Sequence, residues 1–398
     1  MSASPAEAPV TNWVDVAQLV DDPYPTYQRL RAEAPVAYVP ALRRYLVTTY
    51  PECLAIQRDE ATFSAAEDKA TSTMIAAMGR SMLRKDDPEH KTDRQPMNAV
   101  VSRRAVKTVW EPVFAHHADT HLRRLRALGP GADLFAEFAV PFAADNLTAL
   151  LGLRDVEAAT LANWSQTLIA GIGNVTGDPE VWRETARVRA EIDAAIDEAV
   201  SRLRRAPDGT IISALLHAPH PVSEESLRTN VRLAISGGMN EPSHVIASAV
   251  WCLTVCPDQL ELVRAGEHTW GDVFEETIRL QSPVGMYPRR VTRDTELRGV
   301  RVPSGATVGV VIASANRDAD QFAHPDRFDL TRGKTGHLAF GTGVHICLGN
   351  WAARSMVGDV ALPVLYEALP GLRVTEAGST PFRGWVFRGC TELPVWWD

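Results

Sequence analysis

The most extended pattern of apolar positions lies between Ser223 and Val255. Apolar side chains recur there every three or four residues, a spacing that places them on one face of an α-helix. At a rise of about 1.5 Å per residue, such a helix spans about 50 Å, enough to cross a protein of this size. Pro242 lies in its middle and has no N–H group, so the carbonyl of Gly238 loses its partner and a bend is predicted there.

Shorter patterns predict the other elements. Amphipathic spacing typical of helices fills most of the chain from Trp110 to Arg205. Runs rich in β-branched and aromatic residues at Val36–Val39, Tyr45–Thr49 and Thr307–Ala313 predict strands. The sequence therefore predicts a mainly α-helical fold with small β-sheets. No linker rich in proline, glycine or serine divides the chain, so we expect one domain over residues 1–398, with residues 1–12 flexible.

Composition narrows the class of protein. Of the 398 residues, 45% are hydrophobic and 23% are charged, which is typical of a globular protein with a buried core. The formal net charge of −8 argues against nucleic acid as a partner. No uncharged apolar segment approaches the roughly 20 residues that a membrane-spanning helix needs, and the N-terminus has no secretion signal. Five cysteines, an odd number, favour free thiols, so we expect a cytoplasmic protein without a membrane partner.

The residues with the clearest chemistry lie near the C-terminus, in a glycine-rich segment from Phe340 to Gly349 that contains Cys347. A helix is predicted to follow over Asn350 to Leu365, and its N-terminal dipole favours the thiolate anion. A single thiolate without companion Cys or His residues at the spacing of a zinc site cannot complete a tetrahedral zinc site. The metal must therefore bring its other ligands, as haem iron does, and Gly341 leaves room for a flat macrocycle. A structural cysteine in a glycine-rich loop is the alternative interpretation.

This segment resembles the haem-binding loop of the cytochrome P450 haem-thiolate monooxygenases, whose pattern is F-G-x-G-x-H-x-C-x-G. Every fixed position matches, from Phe340 and Gly341 through Cys347 to Gly349. The resemblance implies haem b as the cofactor, Cys347 as the ligand of its iron, and Phe340 beside the sulfur. It also implies the cytochrome P450 fold, in which the haem lies between a long central helix and the helix after the Cys loop.

Four cationic side chains are candidates for binding the haem propionates. His90 and Arg94 lie four residues apart on a predicted helix, which places them on one face. On this pattern alone, a solvated helix face is the more common arrangement. The resemblance to the family's H-x-x-x-R implies instead that both bind propionates, together with Arg289 of a strand and His345 of the Cys loop. Arg290 is the alternative to Arg289.

A second pair of residues is assigned to the core. Glu276 and Arg279 lie three residues apart on a predicted helix, a spacing that permits an ion pair but is common in helical proteins. The pair lies upstream of the Cys loop and resembles the family's E-x-x-R. The resemblance implies that both residues stabilise the core beneath the haem and take no part in catalysis.

The middle of the long helix departs from the family's usual pattern. The resemblance places this helix over the distal face of the haem, where an acid followed by threonine commonly delivers protons to dioxygen. Aligned on its glycine pair, this chain has Asn240 in place of the acid and Glu241 in place of the threonine. We therefore expect Gly238, Asn240 and Glu241 to form the catalytic segment, with a purely structural kink as the alternative. A similar Asn/Gln-Glu-Pro run resembles aryl-ether O-demethylating members and haem domains fused to phthalate-dioxygenase-type reductases.

The resemblance implies a monooxygenase that activates dioxygen and hydroxylates or O-demethylates a small, largely apolar and aromatic substrate. The candidate pocket residues are apolar with one exception, Asn174, which is expected to orient a phenol. A pocket of this kind favours binding through burial of apolar surface. The candidates are Met74, Ile75, Met78, Leu168, Ile169, Ile172, Asn174, Ile235, Val284 and Phe387.

The chain contains no recognisable reductase segment, so electrons are expected from a separate ferredoxin or iron–sulfur flavin reductase. The basic residues Arg103, Arg104 and Lys107 are candidates for docking that partner, with a solvated helix face as the alternative. Two other functions stay open at this point. One is a hydrogen-peroxide-driven peroxygenase that uses Glu241 as an acid–base group. The other is a haem-based sensor or carrier without turnover.

Overall fold

A computed structural model describes residues 6–67, 72–220, 222–333, 336–375 and 382–398. Helices dominate it and the sheets are small, as the sequence predicts. The helices are α1 (Val16–Asp21), α2 (Tyr24–Glu33), α3 (Tyr50–Arg58), α4 (Thr73–Met78), α5 (Glu89–Asn98), α6 (Arg103–Ala105), α7 (Glu111–Leu128), α8 (Val140–Leu151), α9 (Ala158–Gly173), α10 (Pro179–Leu203), α11 (Ile211–Leu216), α12 (Glu224–Val255), α13 (Pro257–Arg264), α14 (Trp270–Leu280), α15 (Ile312–Ala315), α16 (Asn350–Ala353) and α17 (Leu362–Ala368).

The strands are short, and most of them belong to two sheets. They are β1 (Ala6–Glu7), β2 (Val36–Val39), β3 (Arg44–Val47), β4 (Phe63–Ser64), β5 (Tyr287–Val291), β6 (Thr295–Leu297), β7 (Val300–Val302), β8 (Thr307–Val310), β9 (Arg373–Val374), β10 (Phe382–Arg383), β11 (Gly389–Cys390) and β12 (Val395–Trp396). The larger sheet has the order β2-β3-β8-β5-β4, in which only β3 and β8 are parallel. The smaller has the order β1-β7-β6, while β10 pairs with β11 and β12 with β9.

The described residues cluster into two compact units. The first consists of those within Met1–Ala66, Trp251–Cys347 and Glu376–Thr391. Its core packs against both faces of the five-stranded sheet: Val47 and Val310 belong to one buried cluster, and Leu46 and Met286 belong to another. Side chains that alternate along β3 thus enter different clusters, as the period of two in a strand requires. The prediction of a single domain over residues 1–398 stays a prediction.

The second unit consists of the described residues within Glu67–Val250, Leu348–Thr375 and Glu392–Asp398. It contains α12 as far as Val250, and the buried side chains of Val231, Ile235 and Ile246 lie on that helix. Helix α8 is buried almost throughout because apolar residues occur all round it; Phe142 of this helix stacks on Phe138 with ring centroids 5.4 Å apart. The long central helix predicted from Ser223 to Val255 is present as Glu224–Val255 and is continuous through Pro242.

Three local expectations need refinement. The strand predicted over Thr307–Ala313 ends at Val310, because the chain turns into α15 at Ile312. Within the segment expected to be flexible, residues 1–5 lie outside the described part of the chain, whereas Ala6 and Glu7 pair with β7. The helix predicted after the Cys loop contains a π-helical segment at Arg354–Ala361 between α16 and α17.

Among the described helices, none is by itself long and apolar enough to cross a membrane. The bent pair α12 and α13 would be long and apolar enough together, by length and composition alone.

Candidate active site

The Cys loop belongs to the first unit as far as Cys347, and the thiol of that residue is accessible. Cys347 is exposed, and its backbone N–H donates to the carbonyl of Phe340 at 2.8 Å, which closes the loop into a compact turn. Gly341 and Gly343 have φ angles of +64° and +70°, a left-handed conformation that other residues rarely adopt. A cysteine presented on such a turn, rather than in a core, can bind a metal that approaches from outside.

Helix α3 holds the Cys loop through a residue that the sequence analysis did not identify. The N–H of Thr342 donates to Oε1 of Gln57 at 2.8 Å, and Nε2 of Gln57 donates to the carbonyl of Cys53 at 3.0 Å. A Cβ atom added at Gly343 would lie 2.5 Å from the carbonyl oxygen of Gln57. The loop therefore needs glycine at this position for close approach to α3 as well as for its φ angle.

The residues present fit a haem bound through Cys347 better than through any of the other four cysteines. Cys53, Cys252 and Cys390 are buried, and Cys256 is partly buried. Burial raises the pKa of the Cys53 and Cys252 thiols, which keeps them protonated and unsuited to ligation. Phe340, expected beside the sulfur, stacks on Phe274 with ring centroids 6.1 Å apart.

Two of the four propionate candidates belong to the first unit. Arg289 of β5 is buried, and its guanidinium carbon lies 4.7 Å from the ring centroid of Tyr287, whereas Arg290 is exposed. Nε2 of His345 lies 3.9 Å from Oε1 of Glu60. A buried guanidinium gains most from an anionic partner, so the burial favours Arg289 over Arg290 as the residue that meets a propionate.

The other two candidates, His90 and Arg94, lie on α5 in the second unit. His90 is buried, with its Nδ1 3.1 Å from Oδ1 of Asp87, and Arg94 is partly buried. A buried pair that the sequence analysis missed anchors this helix: Nζ of Lys85 donates to Oδ2 of Asp93 at 2.7 Å. Both members of this ion pair are buried, and Asp93 lies on the same helix as the two candidates.

Glu276 and Arg279 form the predicted ion pair, and it is fully buried. Nε and Nη2 of Arg279 donate to the two carboxylate oxygens of Glu276 at 2.7 and 2.8 Å. Arg279 also donates to the backbone carbonyls of Asn316, Pro325 and Arg327. Each donor of this bidentate pair thus has a partner, as a buried guanidinium requires. These bonds join three segments of the first unit, which is the structural role that the resemblance implies.

Gly238 and Asn240 have packing partners in the second unit. A Cβ atom added at Gly238 would lie 2.9 Å from Cδ1 of Leu147, so α8 approaches α12 closely at this glycine. Nδ2 of Asn240 donates to Oγ of Ser165 at 2.5 Å and to the carbonyl of Ser236 at 2.8 Å. Both Nδ2 protons are used by these bonds, which leaves the side-chain oxygen of Asn240 for contact with any other group. Its catalytic role stays a prediction.

Glu241 is the polar group with the most unusual surroundings. The residue is partly exposed, but its Oε2 is enclosed and has no hydrogen-bond partner among the described residues. Burial raises the pKa of the Glu241 carboxyl to about 8, although a hydrogen bond from its own backbone N–H opposes the shift. A carboxyl with a pKa in this range can both donate and accept a proton near neutral pH.

The pocket candidates of the second unit lie on helices in contact with one another. Met74, Ile75 and Met78 of α4 are buried, and so is Leu168 of α9. Oγ1 of Thr73, at the start of α4, donates to the carbonyl of Ile172 at 2.6 Å. Three further candidates of the same unit are Ile169 and Ile172, which are partly buried, and Ile235, which is fully buried.

The first unit brings together Val284 and Phe387, although 103 positions separate them. They form an antiparallel β-bridge, and the N–H of Gly285 donates to the carbonyl of Val386 at 2.9 Å. A Cβ atom added at Gly285 would lie 2.1 Å from the carbonyl oxygen of Trp385, so only glycine permits this approach. Two apolar candidates from distant segments are therefore neighbours.

Asn174 has backbone partners in the loop after α9. Its Nδ2 donates to the carbonyl of Asp178 at 2.9 Å, and its Oδ1 accepts from the N–H of the same residue at 2.8 Å. Both ends of the amide thus close the loop between α9 and α10. One proton of Nδ2 and one lone pair of Oδ1 stay available for another partner, so the expectation that Asn174 orients a phenol stays a prediction.

Comparisons with known proteins found a matching family model, related sequences and related structures. A family model described as Cytochrome P450 matches residues 271–362. Cytochrome p450 CYP199A2 of Rhodopseudomonas palustris is 31% identical over 382 residues, which cover 94% of this chain and 90% of that protein. Nocardicin C N-oxygenase of Nocardia uniformis is 30% identical over 94% of this chain and 96% of its own length. The crystal structure of P450BioI with an acyl carrier protein ligated to hexadec-9Z-enoic acid is 26% identical, with a TM-score of 0.87 over 96% of this chain and 100% of that one.

The fold and the Cys loop thus define a haem-thiolate oxygenase. The chain belongs to the cytochrome P450 family, and it is a monooxygenase with haem as its cofactor. Members of this family act with dioxygen, an organic substrate and a source of electrons. The narrower resemblance to aryl-ether O-demethylating members stays a prediction.

Proposed function

We propose that this monooxygenase hydroxylates or O-demethylates a small, largely apolar and aromatic substrate with electrons from a separate protein. The observation that carries the proposal is the uniformly apolar character of the candidate pocket on α4, α9 and α12. Met74, Ile75, Met78 and Leu168 are buried side chains without a polar group. Such a lining excludes water and favours ligands that bury carbon surface.

The proposed haem contacts are Cys347 as the iron ligand and His90, Arg94, Arg289 and His345 as the partners of the propionates. Haem bound through a thiolate activates dioxygen for insertion of one oxygen atom into a C–H bond. The apolar residues hold the substrate and exclude water. In O-demethylation, insertion of the oxygen atom into a C–H bond of the O-methyl group gives a hemiacetal, which breaks down to a phenol and formaldehyde. Two electrons and two protons convert the second oxygen atom to water.

The substrate class is tested by titrating the haem-loaded protein with methoxylated, alkylated and unsubstituted aromatics while the spin-state band is recorded. We expect methoxylated or alkylated benzenes to bind in the micromolar range, because burial of about 300 Å² of apolar surface contributes about 7 kcal/mol. Formaldehyde released during turnover distinguishes O-demethylation from hydroxylation of the ring or an alkyl group.

The same titration includes a fatty acid and a steroid as comparison ligands. If these shift the spin-state band and none of the small aromatics does, the proposed substrate class is wrong. If a methoxylated aromatic binds and is turned over without formaldehyde, hydroxylation replaces O-demethylation.

We also propose that an acidic redox partner docks on a basic and aromatic surface of the second unit. Arg103 and Arg104 are exposed, and Trp351 is 39% exposed between two cations. The guanidinium carbons of Arg103 and Arg354 lie 5.2 and 5.3 Å from the ring centroid of Trp351. An exposed tryptophan flanked by arginines is the composition of an interface anchor. Lys107 contributes less because it is paired with Glu111 at 2.6 Å.

Reduction of the haem by a ferredoxin should slow as ionic strength rises, because exposed charges are screened over about 8–10 Å at physiological salt. The change Arg104→Gln should lower the association rate up to about fivefold at low salt, as exposed ion pairs contribute about 0.2–1 kcal/mol. Stopped-flow reduction measures the rate. The control is Arg124→Gln, an exposed arginine of α7 outside this surface. If the rate of haem reduction changes neither with ionic strength nor with Arg104→Gln, the proposed docking surface is wrong.

A second candidate function is peroxide-driven oxygenation, and the enclosed carboxyl of Glu241 favours it. In that reaction hydrogen peroxide supplies the oxygen atom, and substrate plus peroxide gives oxygenated product plus water. Glu241 would accept a proton from hydrogen peroxide and return it to the oxygen that leaves as water. A haem-based sensor or carrier is not proposed, since the relatives of this chain include Nocardicin C N-oxygenase. The cytoplasmic location remains a prediction.

A further inference from the structure

The segment that follows α4 lies along α12 in the second unit and is tied to it by a series of polar contacts. Four residues between positions 78 and 85 contact α12 between its residues 226 and 232. The contacts are Arg232 Nη1 to the carbonyl of Met78 at 3.2 Å, Thr229 Oγ1 to the carbonyl of Arg80 at 3.3 Å, the N–H of Met82 to Asn230 Oδ1 at 2.8 Å, and Lys85 Nζ to Ser226 Oγ at 2.8 Å. The position of α4 is therefore set from α12.

Helix α4 has only six residues, Thr73–Met78, and depends on such partners. A helix this short is unstable alone, and the carbonyl groups of its last turn have no donor within the helix. Nη1 of Arg189 donates to the carbonyl of Ala76 at 3.0 Å, and Arg232 donates to that of Met78. Two arginines thus cap the negative end of the helix dipole, where cations are favourable.

Gly79 allows the chain to come close enough for these bonds. It ends α4 with a φ angle of +85°, and an added Cβ atom would lie 2.4 Å from Cγ2 of Thr229. The backbone of this turn therefore packs directly against α12. Close approach and left-handed geometry together explain why glycine is needed here.

Asp193 of α10 holds Arg232 in place. Both carboxylate oxygens of Asp193 accept from Nη2 of Arg232. The Arg232 side chain is 5% exposed, so its charge needs this partner, and removal of either member leaves the other poorly compensated. Arg228, one turn earlier on α12, also pairs with α10, through Asp197 and more distantly through Asp193 at 3.7 Å, but has no hydrogen bond to α4 among the described residues. It provides a natural comparison.

We propose that Arg232, held by Asp193, is a positioning and specificity-determining residue that fixes the α4 wall of the substrate pocket. Met74, Ile75 and Met78 lie on this helix, so an intact clamp keeps them pressed toward the ligand. This inference rests on the proposed assignment of α4 to the pocket. Arg232 acts through the carbonyl of Met78 and is not proposed to touch substrate or haem.

The test uses haem-loaded protein and two ligands that bind iron directly, imidazole and the larger 4-phenylimidazole. Arg232→Gln and Asp193→Asn should raise the Kd of 4-phenylimidazole about tenfold and that of imidazole less than twofold, because only the phenyl ring needs the α4 wall. Arg232→Lys should recover part of the loss, since a lysine reaches one acceptor but lacks the fork that joins Asp193 to Met78. Arg228→Gln, the control, should leave both Kd values unchanged.

Hydrogen–deuterium exchange separates this inference from the pocket assignment. In Arg232→Gln and Asp193→Asn, amides of residues 73–82 should exchange at least tenfold faster than in Arg228→Gln, with the rest of the second unit unaffected. Faster exchange there with an unchanged ratio of the two Kd values would mean that the clamp exists but α4 is not the pocket wall. Unchanged exchange, or an equal acceleration across the whole unit, overturns the clamp itself. If Arg232→Gln does not fold, Arg232→Lys and Asp193→Asn give the same comparison.

Discussion

Replacement of Cys347 by histidine should abolish the red-shifted band of the reduced carbon monoxide complex and reduce oxygenase activity to background. The reason is electronic: a thiolate donates electron density to haem iron and favours cleavage of the O–O bond, whereas a neutral imidazole donates much less. The Cys loop should keep its fold in Cys347→His, because Cys347 is exposed and the turn is held by backbone hydrogen bonds and by Gln57. The measurement is a difference spectrum of the reduced protein with and without carbon monoxide.

Cys256→Ser is the matched control, since Cys256 is the other cysteine of the chain that is not fully buried. It should keep the thiolate spectrum and the activity of the wild type. Persistence of the red-shifted band in Cys347→His would show that another residue ligates the iron. Loss of haem from Cys347→His with an unchanged far-ultraviolet dichroism spectrum would still agree with ligation by Cys347.

Glu241→Gln should lower peroxide-driven turnover about a hundredfold, the lower end of what general acid–base catalysis contributes. Wild-type peroxide turnover should rise with pH and level off above about 8, because the carboxyl must be ionised to accept a proton and its pKa is raised to about 8. The glutamine variant should show no such rise. The measurement is the initial rate of product formation at a series of pH values with saturating substrate.

The same carboxyl makes a second pH-dependent contribution, to stability. Its pKa is raised from 4.5 to about 8 by burial, so between these values the folded protein binds the proton and the unfolded chain does not. The free energy of unfolding therefore falls as pH rises from about 4.5 through about 8. Glu241→Gln should remove that part of the slope and should be more stable than the wild type near pH 9 in denaturant titrations.

Glu225→Gln is the control for both measurements, because Glu225 lies on the same helix but is exposed. It should change neither the peroxide rate nor the pH dependence of stability. A peroxide rate that is equal in wild type and Glu241→Gln at every pH would show that this carboxyl moves no proton, and the peroxygenase proposal would fail.

The long helix and the Cys loop could be predicted from the sequence because each is defined by residues close together in the chain. The spacing of apolar residues along Glu224–Val255 defines a helix because each residue contacts its neighbours three and four positions away. The Cys loop is recognisable because its glycines and Cys347 lie within ten consecutive positions. The expectations for the fold class, the family and the haem cofactor needed only such local patterns together with the resemblance they support, and all three are confirmed.

The tertiary structure decided what depends on residues far apart in the chain. Gln57 meets Thr342 across 285 positions, and Arg232 meets Met78 across 154, and no local spacing indicates either contact. The same holds for Asn174, whose hydrogen bonds to the backbone of Asp178 exist only in the folded loop. Local propensity depends on a few consecutive residues, whereas the partner of a buried polar group is set by which segments the whole chain packs together.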